Sequence, residues 1–454
     1  MTHMRQDRVG RTGFRQLAVL GGLVAMFATT SMASTPLISC KVELDRAVLP
    51  AGKGQTAVVK VSLNAVEMAD GAKRAPVNVA IVLDRSGSMS GDKIRNAKAA
   101  TIEALKRLGP DDIFSVVTYN HAIETLVPAQ RATQVDAIIR QINRIKAEGD
   151  TALFGGVSQA AAEVRKHLGP ERISRIVLLS DGRANVGPQS PEDLGRLGAS
   201  LIKEGISVSS IGLGEDYNED LMTQLAQRSD GNTYFVAESM DLARIFTSEF
   251  GDALNVIAKD IELVISFPES VHPIKVVGHD GRVRKDRVEL RFNQIYGGQE
   301  KYAIVEVSLD ETVAGVKKQI AQANVTYKDA TSGKPFAVAS AVDATYSDEA
   351  DQVAASWNTD VRSAWSVNVN AMAYDQAIQL ADKGDAQEAA RILNQSAAQL
   401  EKEAQESGDE ALRGKARYVK GQADQIEKEG QMSKFIRKLL RAESQQDLSQ
   451  QRSR

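Results

Sequence analysis

Two hydrophobic periods take turns along this chain. After the turn-like stretch Pro50-Ala51-Gly52-Lys53-Gly54, Val59, Val61, Leu63 and Ala65 fall at every second position, the mark of a strand with one buried face. Residues 41–70 therefore read as an antiparallel strand pair. From about 75 to 256 the pattern changes to short, continuous apolar runs at 77–83, 112–118, 175–179, 206–213 and 232–236. Between them lie helical spacings at 93–108, 134–145, 157–168, 194–204, 221–228 and 240–254. Strands apolar on both faces and interleaved with amphipathic helices predict an α/β fold with a doubly wound, mostly parallel sheet. Alternation returns over 260–345, in Ile261, Leu263, Ile265 and Phe267, in Val288, Leu290 and Phe292, and in Tyr302, Ile304, Val307 and Leu309, which predicts a β-sandwich. Residues 347–356 read as a polar linker. The Ala-, Gln-, Glu- and Lys-rich stretch 360–430 predicts an α-helical hairpin or small bundle, with a tetratricopeptide-like turn at Gly384-Asp385.

An isolated strand pair is marginal and needs further strands. The nearest β-material free to supply them is 260–345, so the prediction is one sandwich built from both stretches, with the α/β domain inserted between them.

Length and composition narrow the classes. At 454 residues with 56 Lys and Arg against 59 Asp and Glu, the chain is long enough for several cores and too evenly charged for a strongly basic nucleic-acid binder. One Cys and five His argue against soft-metal chemistry. Arg5, Arg8, Arg11 and Arg15 precede an apolar run at 17–28 and a Ser31-Met32-Ala33 cleavage pattern, the plan of a signal peptide over 1–33. This predicts export, to the periplasm or cell envelope or by secretion. Leu37-Ile38-Ser39-Cys40 resembles a lipobox, which offers a lipoprotein acylated at Cys40 as the alternative. At the other end, 431–454 is a basic tail in which Phe435, Ile436, Leu439 and Leu440 share one helical face. It reads either as a membrane-surface or partner-binding helix or as an amphipathic helix capping the bundle before a disordered Gln/Ser-rich end.

The candidate chemistry gathers where apolar runs end. Asp84, Ser86 and Ser88 occupy alternate positions after the first run of the α/β region, Asp181-Gly182 follows another, and Gly149-Asp150-Thr151 precedes a helix. In a doubly wound sheet all three loops can meet at one edge. Hydroxyls and carboxylates without Cys or His suit a hard cation: Mg²⁺, with Mn²⁺ or Ca²⁺ as alternatives.

Asp84-x-Ser86-x-Ser88, Thr151 and Ser180-Asp181-Gly182 resemble the metal-ion-dependent adhesion site of von Willebrand factor type A domains, and Ile211-Gly212-Leu213-Gly214 and Gly231-Asn232-Thr233-Tyr234 extend the likeness across residues 75–256. The resemblance implies that Ser86, Ser88 and Thr151 offer hydroxyl ligands, that Asp84 and Asp181 coordinate directly or through water, and that an acidic residue of a protein partner completes the site. It implies a secreted or envelope-type bacterial binding module, with an inserted-domain arrangement similar to that of integrin-like proteins.

Catalytic readings fit less well. Gly87-Ser88-Met89-Ser90-Gly91 imitates a nucleophile elbow but has Met89 where the serine belongs. No Gly-Lys-Ser/Thr phosphate loop occurs. His121 stands in a polar loop without an evident partner. The expectation is a non-enzyme that captures a protein carboxylate without nucleotide or nucleic acid. The rival class is an envelope assembly protein whose α/β domain is regulatory and whose helical region makes the main contact.

Overall fold

The computed structural model describes residues 35–69, 73–279 and 281–453. The expected signal peptide at 1–33 lies outside them. The chain enters through β1 (Ile38–Leu44), β2 (Val48–Pro50) and β3 (Gln55–Ala65). β1 and β3 pair antiparallel from Ile38↔Ala65 to Leu44↔Val59. Cys40 sits inside β1 opposite Leu63, two residues after the fully buried Ile38.

The α/β domain follows: β4 (Val77–Asp84), α1 (Asp92–Lys106), β5 (Ile113–Tyr119), β6 (Ile123–Arg131), α2 (Val135–Asn143), α3 (Leu153–Arg165), β7 (Ile173–Ser180), α4 (Pro191–Leu201), β8 (Ile206–Leu213), α5 (Glu219–Arg228), β9 (Thr233–Val236) and α6 (Leu242–Leu254). The sheet order is β6-β5-β4-β7-β8-β9, parallel throughout except for β6. β4, β5, β7 and β8 are buried along their whole length, because α1, α2 and α6 cover one face and α3, α4 and α5 the other. Strand β6 had no counterpart among the predicted elements. Only Val127 of it is buried and it carries Pro128, both properties of an edge strand that hide the signal periodicity would give.

The sandwich continues with β10 (Val256–Ser266), β11 (Val271–Val277), β12 (Arg282–Val283), β13 (Arg287–Tyr296), β14 (Gln299–Leu309), β15 (Lys317–Asp329) and β16 (Pro335–Ser347). Strand β3 lies against β14 from Asn64↔Glu300 to Gln55↔Leu309, and β2 runs parallel to β16. The first strands thus join both sheets of the sandwich, and the α/β domain is inserted between them as expected. Val59, Val61 and Leu63 share a core with Ile261, Leu263 and Ile265.

Beyond β16 come α7 (Ala350–Ala355), α8 (Thr359–Asp382), α9 (Ala386–Ser407), α10 (Glu410–Glu429), α11 (Lys434–Leu448) and β17 (Gln451–Ser453). The expected linker at 347–356 is mostly the short helix α7. Gly384, at φ +86°, makes the turn from α8 to α9. Helix α11 caps the bundle through buried Ile436 and Leu440, as the amphipathic reading of the tail expects, but the expected disordered end needs correction. The tail's end is a strand paired with β14, opposite Gln299, Glu300 and Lys301. Three of its basic residues turn inward: Arg437 pairs with Glu219, Asp220 and Asp382, Lys438 with Glu219, and Arg441 with Asp220 and Asp375. These three cations are thereby spent on carboxylates within the chain. Among the described residues no helix is long and apolar enough to cross a membrane.

Candidate metal centre

Three loops at the carboxyl edge of the sheet meet as their topology requires. The first leaves β4. Buried Met89 anchors it from below, leaving Ser88 exposed while Asp84 and Ser86 are buried. Gly87 N–H donates to Gly149 O at 2.9 Å, joining this loop to the one that carries Thr151. Gly149, at φ +79°, is required there twice over: an added Cβ would also lie 2.3 Å from His121 Nδ1. Thr151 is clamped by Asn185, whose Oδ1 accepts from Thr151 N–H at 2.8 Å and whose own N–H donates to Thr151 O at 3.1 Å. The third loop leaves β7 with Asp181-Gly182.

All five expected residues come together. Asp84 Oδ1 accepts from Ser86 N–H at 2.8 Å and Oδ2 from Ser180 Oγ at 2.7 Å. Ser88 Oγ donates to Asp181 Oδ1 at 2.7 Å and lies 3.0 Å from Ser86 Oγ. The Ser86 hydroxyl also hydrogen-bonds the Asp84 carboxylate, so both serine oxygens lie between the two acidic side chains. Where a Cβ on Gly182 would stand, Thr151 Oγ1, Ser88 Oγ and Ser86 Oγ lie at 3.0, 3.5 and 3.7 Å. The missing side chain leaves a cradle with three hydroxyl oxygens around it and two buried carboxylates beside it. Such an all-oxygen donor set fits a hard divalent cation. Among the described residues no group of three His, Cys, Asp or Glu side chains could hold a metal, so an ion here would depend on the hydroxyls.

Burial pushes the Asp84 carboxyl above the usual range against the hydrogen bonds from Ser86 and Ser180, and the charge of Asp181 adds to the rise. Beneath it the fully buried Tyr119 hydroxyl, driven well up by burial and by Asp84, donates to Leu179 O at 3.4 Å. Gly156 in α3 admits that ring, since a Cβ there would be 2.7 Å from it.

Three contributors escaped the sequence reading. Ser180 was visible within the motif but not as the donor to Asp84. Asn185 acts only through the fold that brings it to Thr151. Lys93 lies in the first turn of α1 with Nζ 2.5 Å from Asp181 Oδ2; a lysine opening a helix carries no signal of its own. His121 is exposed and abuts Gly149. Cys40 lies in the sandwich, on β1.

Residues 78–248 match the family model of the von Willebrand factor type A domain. The uncharacterized protein sll0103 of Synechocystis is 26% identical over 273 residues, covering 58% of this chain and 64% of its own. Mouse inter-alpha-trypsin inhibitor heavy chain H2 is 32% identical over 165 residues, 34% of this chain and 17% of its own. The chain thus spans less than two thirds of the length of these curated relatives. The solved structure of von Willebrand factor type A from Catenulispora acidiphila is 20% identical, with a TM-score of 0.69 over 90% of this chain and 96% of that one, so the likeness of fold extends to the sandwich and helices. Model match and fold agree that the α/β region of this chain is a von Willebrand factor type A domain.

Proposed function

We propose that the chain is a non-enzymatic, metal-dependent protein-binding module, in which a divalent cation held by Ser86, Ser88 and Thr151, with Asp84 and Asp181 behind them, captures an Asp or Glu carboxylate of a protein partner. The observation that carries this reading is the convergence of three hydroxyl oxygens on the space above Gly182. Hydroxyls are neutral, so the ion keeps enough charge to recruit an anionic ligand, and Ser88 is exposed to admit it. Mg²⁺ suits the oxygen set, with Mn²⁺ or Ca²⁺ as substitutes. The serine hydroxyls face each other and Asp181, whose other oxygen is held by Lys93, and no imidazole stands between serine and carboxylate to activate a nucleophile, which favours ligation.

The proposal places this activity outside the cytoplasm, with processing upstream of β1. The burial of Ile38 supports the processing point alone, because cleavage before Cys40 would remove a core residue. Calorimetric titration of the full chain with Mg²⁺ or Mn²⁺ tests the metal: one ion per chain is expected, and none after Asp181→Ala. Affinity capture with and without EDTA tests the module. Capture that survives both chelation and Asp84→Ala would shift the reading to an assembly protein bound through its helical region.

A further inference from the structure

Asp181 already holds a cation. Its carboxylate is fully buried, Oδ1 accepts from Ser88 Oγ at 2.7 Å and Oδ2 from Lys93 Nζ at 2.5 Å. Lys93 reaches it from the first turn of α1 with its side chain 34% exposed. The ammonium lies beside the loop after β8, where a Cβ on Gly214 would be 3.7 Å from Nζ. Its helical neighbours Asp92 and Arg95 pair with each other on the surface. An ion seated on the three hydroxyls needs this same carboxylate.

We propose that Lys93 is a positioning residue that acts as an internal counter-cation: it competes with the divalent ion for Asp181, lowers the affinity of the site, and holds Asp181 in its binding position when no ion is present. The inference rests on the metal reading above. Its physical content is a charge count. Asp84 and Asp181, ionised, would just neutralise a divalent ion, whereas with Lys93 the loaded site keeps one positive charge. Metal affinity is given up, and the demand for a partner carboxylate rises. Removing the ammonium also leaves a buried carboxylate uncompensated in the metal-free chain.

The test uses the full chain, Lys93→Met and Lys93→Arg, titrated with Mn²⁺ by calorimetry and melted with and without Mn²⁺. Lys93→Met is expected to bind Mn²⁺ about tenfold more tightly than the unaltered chain, to melt at a lower temperature without metal, and to gain more from adding it. Lys93→Arg, which keeps the charge, should bind within about threefold of the unaltered chain. Should Lys93→Met not fold, Lys93→Gln, whose amide can still donate to Oδ2, carries the same measurements. Binding by the neutral variant no tighter than that of the unaltered chain overturns the proposal while leaving the metal site standing. An unaltered chain that takes up no Mn²⁺ overturns the metal reading, and this inference with it.

Discussion

At position 182 any side chain would begin 3.0 Å from Thr151 Oγ1 and within 3.7 Å of both serine hydroxyls, in the space an ion must enter. The backbone there lies outside the left-handed region, so alanine is conformationally tolerable. Gly182→Ala is therefore expected to weaken Mn²⁺ binding at least about tenfold while shifting the melting temperature little, as calorimetry and thermal melts would show. Asp84 carries a second prediction. Burial raises its carboxyl, so protons displace metal at a higher pH than for a surface carboxylate. Metal affinity should fall as pH is lowered, beginning above the ordinary carboxylate range, and a titration series across pH reads this out.

At the scale of elements, the last helix of the domain is tied down by a buried polar cluster. Glu249 of α6 accepts from Asn232 and Tyr234 at 2.6 Å each and from Arg175 of β7 at 3.2 Å, and Arg175 donates to Tyr296 OH of β13 at 2.5 Å. The network joins β7, the strand that leads into Asp181, both to α6 and to the sandwich. Arg175→Met would leave the buried Glu249 charge without its counter-cation, at a cost of about 3–5 kcal/mol in denaturant unfolding. One turn along α6, burial and the Glu249 charge push Asp252 up to about 6, with Arg175 opposing. Because its folded pKa lies above its unfolded one, Asp252 gives its full stabilising contribution below about pH 4. That contribution is lost as pH rises to about 6. Asp252→Asn should accordingly leave stability unchanged near pH 4 and raise it above pH 6 by on the order of 1–2 kcal/mol, as urea unfolding at the two pH values would report.

Across the whole molecule the C-terminal segment acts as a stitch. Helix α11 meets α5 through Arg437 and Lys438, packs on α8 through Ser444, and leads to β17 on the sandwich. Buried Gln450 adds hydrogen bonds from its Nε2 to Val277 O and Asn368 Oδ1 at 2.6 and 2.8 Å. Deleting residues 431–454 would bare Glu219 and the partners of Ile436 and Leu440. The expected outcome is a clearly lower melting temperature for the domain and bundle together; an unshifted calorimetric transition would show that the segment is dispensable.

What could be read along the chain was whatever depends on near neighbours. The parallel strands announce themselves because burial on both faces leaves a continuous apolar run, as at 77–83 and 206–213, and Asp84, Ser86 and Ser88 keep their spacing on one loop. The insertion was legible from a shortage, since β1 and β3 could not bury their inner face alone. Edge strands were not legible: β6 and β11 are half-exposed and carry Pro128 and Pro273, so their pattern fades. Nor were the partners of the tail. A basic amphipathic helix looks alike whether its cations face lipid, solvent or Glu219 and Asp220, and Gln451–Ser453 has no strand-forming pattern of its own until β14 supplies a partner. The same holds at the metal centre, where the sequence alone determined which oxygens could converge. That Lys93 answers Asp181 across 88 residues was decided only by the tertiary structure, because the partner of a charge is set by which side chains the fold brings within a few ångströms, and local sequence periodicity carries no record of that distance.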